Sequence, residues 1–332
     1  MHSSFALPFL TLAPLRGVTV AVFRRRLARH FGGFDAALAP FIPTVAGERI
    51  RPGMLRDVER AADEAPMALV PQIIGKDPAQ IAPMASALRA RGLDRLNLNA
   101  GCPWKFVAKK GRGSGLLRDA DALRRMLEAG CAAVPGGFSV KVRLGVETPD
   151  LLAERMSVLA EFPLRCVVIH PRTAAQMYEG DVLLDEFEAV SALCPHPVVY
   201  NGDIRTAGNF LALRRRFPRV AGWMVGRGAV ADPALGRAIQ AAASGAPPPP
   251  PATPAELRAF HDGLYADYRA ELFGPTPVLG RMKEFWGYFH ARFPDGAAHL
   301  RRIQRSATLA DFERHAAAAF GDIERVGASF TH

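Results

Sequence analysis

Eight short apolar runs, separated by longer segments of helical spacing, constrain the fold of this chain more than any other feature of its sequence. The runs cover residues 9–15, 37–42, 67–74, 95–99, 139–144, 165–170, 197–201 and 221–225, each with the length and composition of a buried strand. Between them, residues 77–91, 119–131, 149–162, 206–217 and 233–243 repeat apolar side chains every three or four positions, with Arg and Glu on the other face. Eight β units, most followed by a helix, predict a (β/α)8 TIM barrel. The second unit is the weakest, because Pro40 and Pro43 interrupt its strand and residues 49–60 are poorly periodic. A doubly wound open sheet has the same periodicity and stands as the alternative.

Polar residues favour the barrel. Pro14, Gln72, Asn99, Lys141, Arg143, His170, Asn201 and Gly226 all fall at or just past the C-terminal end of an expected strand. In TIM barrels that rim builds the active site, and core packing gives no reason for such residues to gather there.

Residues 1–243 are therefore read as a catalytic barrel. Residues 244–254, with five consecutive prolines, have the composition of a semi-rigid linker. Residues 255–332 form a small helical domain, with helices expected at 255–273, 277–292 and 297–320. Its aromatic run, Phe285, Trp286, Tyr288 and Phe289, has the spacing of a packed helix face.

The four cysteines (Cys102, Cys131, Cys166 and Cys194) are widely spaced, without a zinc pattern, so neither structural disulfides nor a metal is expected. No signal peptide is recognised and no run reaches the ~18 apolar residues of a membrane span. A cytoplasmic, monomeric protein is expected. A formal net charge of +10 fits a polyanionic partner such as nucleic acid, though charge alone does not separate that from a generally basic enzyme.

Asn99-Ala100-Gly101-Cys102-Pro103 follows the fourth strand and holds Cys102 on a rim loop, where a thiol can act as nucleophile or proton donor. Lys105, Lys109, Lys110 and Arg112 follow, then Gly111-Arg112-Gly113-Ser114-Gly115. These glycines lack the strand context of a dinucleotide fingerprint and read instead as a flexible basic loop able to close over a polyanion. Lys141 and Arg143 alternate along one strand and face one side, a costly arrangement inside a barrel without anionic groups to meet them. His170-Pro171-Arg172 ends the next strand. Asn201-Gly202-Asp203 and Gly226-Arg227-Gly228 end the last two, where this fold commonly holds a cofactor phosphate. Together they suggest a phosphorylated planar cofactor over the barrel mouth, beside Lys141 and His170.

As a set these motifs resemble the tRNA-dihydrouridine synthases. The matching elements, in order, are Ala13-Pro14-Leu15-Arg16-Gly17, Val70-Pro71-Gln72-Ile73-Ile74-Gly75, Asn99 to Pro103, Ser139 to Gly145, His170 to Thr173, Asn201 to Ile204 and Val225 to Gly228. Gly280-Arg281-Met282-Lys283 and the aromatic run after it resemble the subgroup acting on uridine 16. The resemblance implies bound FMN, with NADPH (or NADH) as reductant, and tRNA as partner. It implies that Pro14, Leu15, Arg16, Gln72, Lys141, His170, Asn201, Gly202, Asp203, Gly226 and Arg227 hold the flavin, and that Cys102 is the general acid. Asn99 is expected to contact the uracil, with Arg143, Arg172 and Lys283 also on the substrate side. Leu15, Arg16, Trp104 and Pro171 depart from the family pattern. Competing readings are an FMN barrel enzyme acting on a small molecule, the same chemistry on rRNA, and a non-enzymatic RNA-binding protein.

Overall fold

The computed structural model describes residues 9–59 and 67–329. Ten parallel strand segments form the sheet: β1 (Leu10–Leu12), β2 (Ala36–Leu38), β3 (Ile42–Pro43), β4 (Ala68–Val70), β5 (Gln72–Ile74), β6 (Leu96–Ala100), β7 (Phe138–Gly145), β8 (Val167–Thr173), β9 (Val198–Tyr200) and β10 (Gly222–Val225). They pair in the order β3-β5-β6-β7-β8-β9-β10-β1-β2-β4. The two ends of that order are β3 and β4, yet β3 continues β2 and β4 leads into β5. Two of the ten segments are thus second halves of broken strands, leaving eight strands in a closed circuit. This is the (β/α)8 barrel, and closure excludes the open doubly wound sheet.

The breaks have a local cause. Pro71 has no N–H for a ladder bond and stands between β4 and β5, while its carbonyl accepts from Asn97 N at 2.9 Å. Ala36 pairs with Ala68, an offset of 32, whereas Ile42 pairs with Ile73, an offset of 31. The β2–β3 strand thus carries one extra residue across Pro40, and the irregularity expected from its prolines is a bulge within a complete strand. A second shift separates the Arg143–His170 pair from the Gly145–Thr173 pair, at Pro171.

The helices follow their patterns. Residues 119–131 were expected to be helical, and the helix runs Ala120–Ala133, with the Asp119 side chain capping Ala122 N. It buries Leu123, Met126, Leu127 and Gly130. A Cβ on Gly130 would lie 2.1 Å from the Phe138 ring, so only glycine lets this helix reach β7. The expected helix at 149–162 is two short ones, Leu151–Glu154 and Met156–Ala160. Residues 47–58 make only single turns. Ala21–His30 and Leu184–Leu193 are helices that the periodicity did not pick out.

By contacts the chain divides into two compact units. The first comprises residues 1–14, 35–203 and 212–225, and contains every barrel strand. The second comprises residues 15–34, 204–211 and 226–332. Its helices include Ala21–His30, Pro254–Glu271, Pro275–Phe289, Gly296–Arg305 and Leu309–Ser329. The last two replace the single helix expected at 297–320. The first ends with Ser306 as its C-cap, and Thr308 starts the second, its hydroxyl accepting from Asp311 N at 3.1 Å. Phe260, Phe285, Trp286, Phe289 and Phe320 are almost wholly buried in this unit, so most of the aromatic run is core. His261 is buried among these rings and accepts from Trp286 Nε1 at 3.1 Å. Arg26 on the first of these helices pairs in two-pronged fashion with Asp267, at 2.9 and 2.8 Å.

Candidate active site

The site of the first unit begins inside the barrel. Inward positions of β5, β6 and β7 carry a hydrogen-bonded chain of amides. Asn97 donates to Ser139 Oγ at 2.9 Å, Gln72 donates to Asn97 Oδ1 at 2.7 Å, and Asn99 donates to Gln72 Oε1 at 2.8 Å. The Asn99 Oδ1 then accepts from Gly101 N at 3.1 Å and Cys102 N at 2.8 Å. Gln72 and Asn99, expected beside cofactor and uracil, are thus both buried and engaged with the protein. Asn99 fixes the backbone of the cysteine loop.

Cys102 is 7% exposed. A Cβ on Gly101 would press on the backbone of β7 at 3.2 Å, so the loop approaches that strand closely. The glycine segment covers Cys102. Gly113 has φ of +57°, and a Cβ there would meet the Cys102 Cβ at 2.7 Å. Ser114 N donates to the Cys102 carbonyl at 3.1 Å. Residues Gly113–Arg118 form a 3-10 helix, and Gly113 through Leu117 are buried. This corrects the expected flexible loop: the absent Cβ atoms make the segment a tight lid seated on Cys102 and Ala108. None of the four cysteines forms a disulfide. Burial pushes Cys131 and Cys166 up to about 11, which keeps both as inert thiols at neutral pH.

Lys141 and Arg143 share the inward face of β7, as their alternation predicted. Arg143 is 3% exposed and donates to Gly101 O at 3.0 Å and Thr173 O at 2.7 Å. Its guanidinium lies 5.1 Å from the Tyr178 ring centre. Burial lowers it to about 10, so it stays charged at neutral pH. Lys141 keeps some accessible surface at the barrel mouth, but the surrounding protein strips most of its hydration. That burial, with the charge of Arg143 beside it, lowers its ammonium to about 7. No hydrogen bond or ion pair engages it among the described residues.

His170 is buried, and its Nδ1 meets the Asn201 carbonyl. Burial first, then Arg143 and Lys141, hold its pKa well below the ordinary value, so the ring is neutral. A neutral ring bonded to a carbonyl carries its proton on Nδ1 and presents Nε2 as acceptor. Arg172 Nη1 lies 3.4 Å from that Nε2. The remaining donors of Arg172 reach Asp203 at 2.6 and 3.3 Å, Gly180 O at 2.6 Å and Glu179 O at 3.3 Å. All five guanidinium donors are therefore taken, and Arg172 braces the wall behind His170. Asp203, with φ of +41°, is its ion-pair partner. Asn201 Nδ2 donates to Met224 O at 2.9 Å. Gly202 packs on Pro171, where a Cβ would come within 3.0 Å. Pro14, half-buried, follows β1.

The structure thus gathers Cys102, Asn99, Lys141, Arg143, His170 and Arg172 into one connected set. Pro14, Gln72, Asn201, Gly202 and Asp203 belong to the same unit, whereas Leu15, Arg16, Gly226, Arg227 and Lys283 lie in the second. Leu15 N donates to Thr19 Oγ1 at 2.7 Å, and Arg16 is exposed. Gly226 precedes the short helix Arg227–Ala231. Lys283 Nζ donates to Ser306 O at 2.7 Å. Sequence reading took Gly113 only as part of a flexible loop and missed Tyr178. The left-handed glycine beside Cys102 had a readable signal in its Gly-x-Gly spacing, whereas Tyr178 had none.

A closed barrel with a held thiol and buried cations at the C-terminal ends of its strands is the site of an enzyme. Residues 11–309 match the family model described as Dihydrouridine synthase (Dus). The chain is 32% identical over 333 residues to the tRNA-dihydrouridine(16) synthase of Ralstonia nicotianae, covering 94% of this chain and 97% of that one. It is 30% identical over 323 residues to the enzyme of the same name from Pseudomonas putida, covering 92% and 95%. It is 32% identical over 312 residues to a probable tRNA-dihydrouridine synthase of Rhodobacter capsulatus, covering 91% and 93%. Among solved structures, morphinone reductase superposes with a TM-score of 0.49 at 12% identity, over 76% of this chain and 94% of that one. The chain belongs to the dihydrouridine synthase family, a family of flavin-dependent oxidoreductases. No helix among the described residues is long and apolar enough to cross a membrane, and no cluster of His, Cys, Asp or Glu among them could hold a metal.

Proposed function

We propose that this chain reduces the C5–C6 double bond of uridine 16 in the D-loop of tRNA, with FMN as bound cofactor and NADPH as reductant. The observation that carries this reading is the held thiol: Asn99 accepts from the backbone N–H of both Gly101 and Cys102, beside a cationic strand end. The residues present fit a flavin. Lys141, largely stripped of water, has no hydrogen bond or ion pair among the described residues, and is a donor that an electron-rich ring with anionic character would satisfy. Neutral His170, its Nε2 met by Arg172, presents a buried ring edge on the same wall.

The chemistry such a cofactor supplies when bound is hydride donation to C6 of the uracil. Cys102 provides the proton for C5, from Sγ. Lys141 and Arg143 lie close enough to favour the thiolate left behind, since both feel the Cys102 charge. Arg172, held by Asp203, is a positioning residue for His170. Asn99 is a positioning residue for Cys102. A uridine in a tRNA loop must leave its stack to enter this mouth. The helical residues 255–332, behind a linker at 244–254, are assigned to gripping the tRNA backbone, with Lys283 among the contacts, and residues 1–243 to catalysis.

Mass-spectrometric mapping of dihydrouridine in tRNA and rRNA, from cells with and without the gene, tests the proposal. Loss at tRNA position 16 alone is the expected result. Loss at another position keeps the reaction and discards the site assignment. No loss in either RNA refutes the proposal.

A further inference from the structure

Large apolar side chains that remain exposed are few among the described residues, and two of them stand beside Cys102. Trp104 is 55% exposed and Phe106 is 72% exposed, while the other tryptophans, Trp223 and Trp286, are at 2% or less. The same stretch carries Lys105, Lys109, Lys110 and Arg112, and no carboxylate occurs between Asp94 and Asp119. Lys110 Nζ sits 4.0 Å from the centre of the Phe106 ring, an exposed cation–π pair. The backbone beneath the rings is fixed. The Trp104 carbonyl accepts from Val107 N at 2.8 Å and Ala108 N at 3.0 Å, and Gly113–Ser114 lock the return path onto Cys102. Tyr178, 42% exposed, is tied through Arg143 to the Gly101 carbonyl of the same loop.

Rigid rings left in water beside a reactive thiol call for a partner with flat apolar faces. The interleaved lysines call for that partner to be anionic. Lysines are depleted from the cores of protein–protein interfaces, which disfavours a protein here. Unpaired nucleotides offer both features, a π-face on every base and a phosphate at every step. We propose that Trp104 and Phe106 form a stacking platform for the unpaired bases next to the reacting uridine, with Lys105, Lys109 and Lys110 taking the flanking phosphates. This rests on the tRNA reading of the same mouth and adds how the loop is kept open once the uridine has left it.

Trp104 reports on itself, because the other two tryptophans are buried. Flavin-loaded enzyme is titrated with unmodified tRNA transcript while tryptophan emission and tRNA affinity are read in parallel. Binding quenches wild-type emission, and the quench is absent in Trp104→Phe, which keeps its affinity. Trp104→Leu weakens tRNA binding by about tenfold, whereas NADPH still reduces its cofactor at the wild-type rate. Saturable tRNA binding with unchanged emission, together with wild-type affinity in Trp104→Leu, overturns the platform and leaves the tRNA reading intact. A wild-type enzyme that binds no tRNA overturns both. Emission quenched by a protein partner but not by tRNA overturns the platform in favour of a protein surface.

Discussion

Asn99→Ala removes one amide and leaves three groups without their partners. Gly101 N and Cys102 N lose the oxygen that accepts from both, and Gln72 Oε1 loses a donor. Asn99 is 7% exposed, so water does not readily replace it. A buried donor stripped of its acceptor costs about 1–3 kcal/mol. Two such donors would cost roughly 2–6 kcal/mol if the loop stayed in place. The loop can lower that cost by swinging its N–H groups toward solvent, and Cys102 moves with it. The expected outcome is therefore a stability loss of about 2–4 kcal/mol in urea denaturation, with single-turnover dihydrouridine formation slowed at least tenfold. Flavin reduction by NADPH, which does not use Cys102, stays near the wild-type rate. Asn99→Asp keeps an acceptor for both N–H groups and should recover part of the lost rate. An Asn99→Ala protein with wild-type urea midpoint and wild-type turnover would show that the cysteine loop holds itself, and the positioning argument would fail.

Further outcomes follow from the same geometry. Cys102→Ala should lower turnover by about 10²–10⁴-fold while the protein stays yellow; a colourless protein would place Cys102 in cofactor binding instead. Gly113→Ala puts a methyl 2.7 Å from the Cys102 Cβ at a φ of +57°, and turnover should fall with flavin absorbance retained. Its control is Gly92→Ala, where φ is +74° but nothing lies within 4 Å: backbone strain costs roughly 1 kcal/mol there, and turnover should not change. Lys141 titrates near 7 when folded, against an ordinary 10.5. Between those values the unfolded chain holds a proton that the folded, cofactor-free chain does not, so stability rises with pH across that window. Below pH 7 the cost of the buried charge is present in full. Lys141→Met should therefore be more stable than wild type at pH 6, with the gap closing toward pH 10. A gap independent of pH in urea titrations would refute the assigned burial.

How much of this was legible in the sequence depends on how far apart the cooperating residues lie along the chain. The barrel was legible because each strand states its own period, and Lys141 and Arg143 share a face by counting alone. The interruption of the second strand was legible in Pro40 and Pro43; that the ladder resumes past it was not, because the partner residues are some 31 positions away. The helix Ala21–His30 hid behind Arg24-Arg25-Arg26, whose charges break the apolar pattern. Arg24 is nonetheless buried, with Nη1 donating to Thr19 O at 2.8 Å, and Arg26 pairs with Asp267. The break in the last helix was written in Thr308-Leu309-Ala310-Asp311, a capping pattern inside a run that otherwise reads as continuous. Arg172 looked like a free rim cation because Asp203 and Gly180 reach it only after the chain folds.

The amide chain inside the barrel explains why the thiol loop sits on this strand and no other. Its hydrogen bonds all point one way. Cys102 N donates to Asn99, Asn99 to Gln72, Gln72 to Asn97, Asn97 to Ser139, and Ser139 Oγ to Leu96 O at 3.4 Å. Each link leaves its acceptor a better donor to the next, so the series strengthens along its length. It crosses β5, β6 and β7 at inward positions, which a parallel register brings level: Gln72 pairs with Asn97, and Asn97 with Ser139. A slip of one residue in any of these strands would turn the amides outward and leave buried polar groups unmet, at a cost several times that of one hydrogen bond. The network therefore ties the position of Cys102 to the register of the barrel itself. The polar interior that distinguishes this barrel from a purely apolar one is what holds its thiol in place.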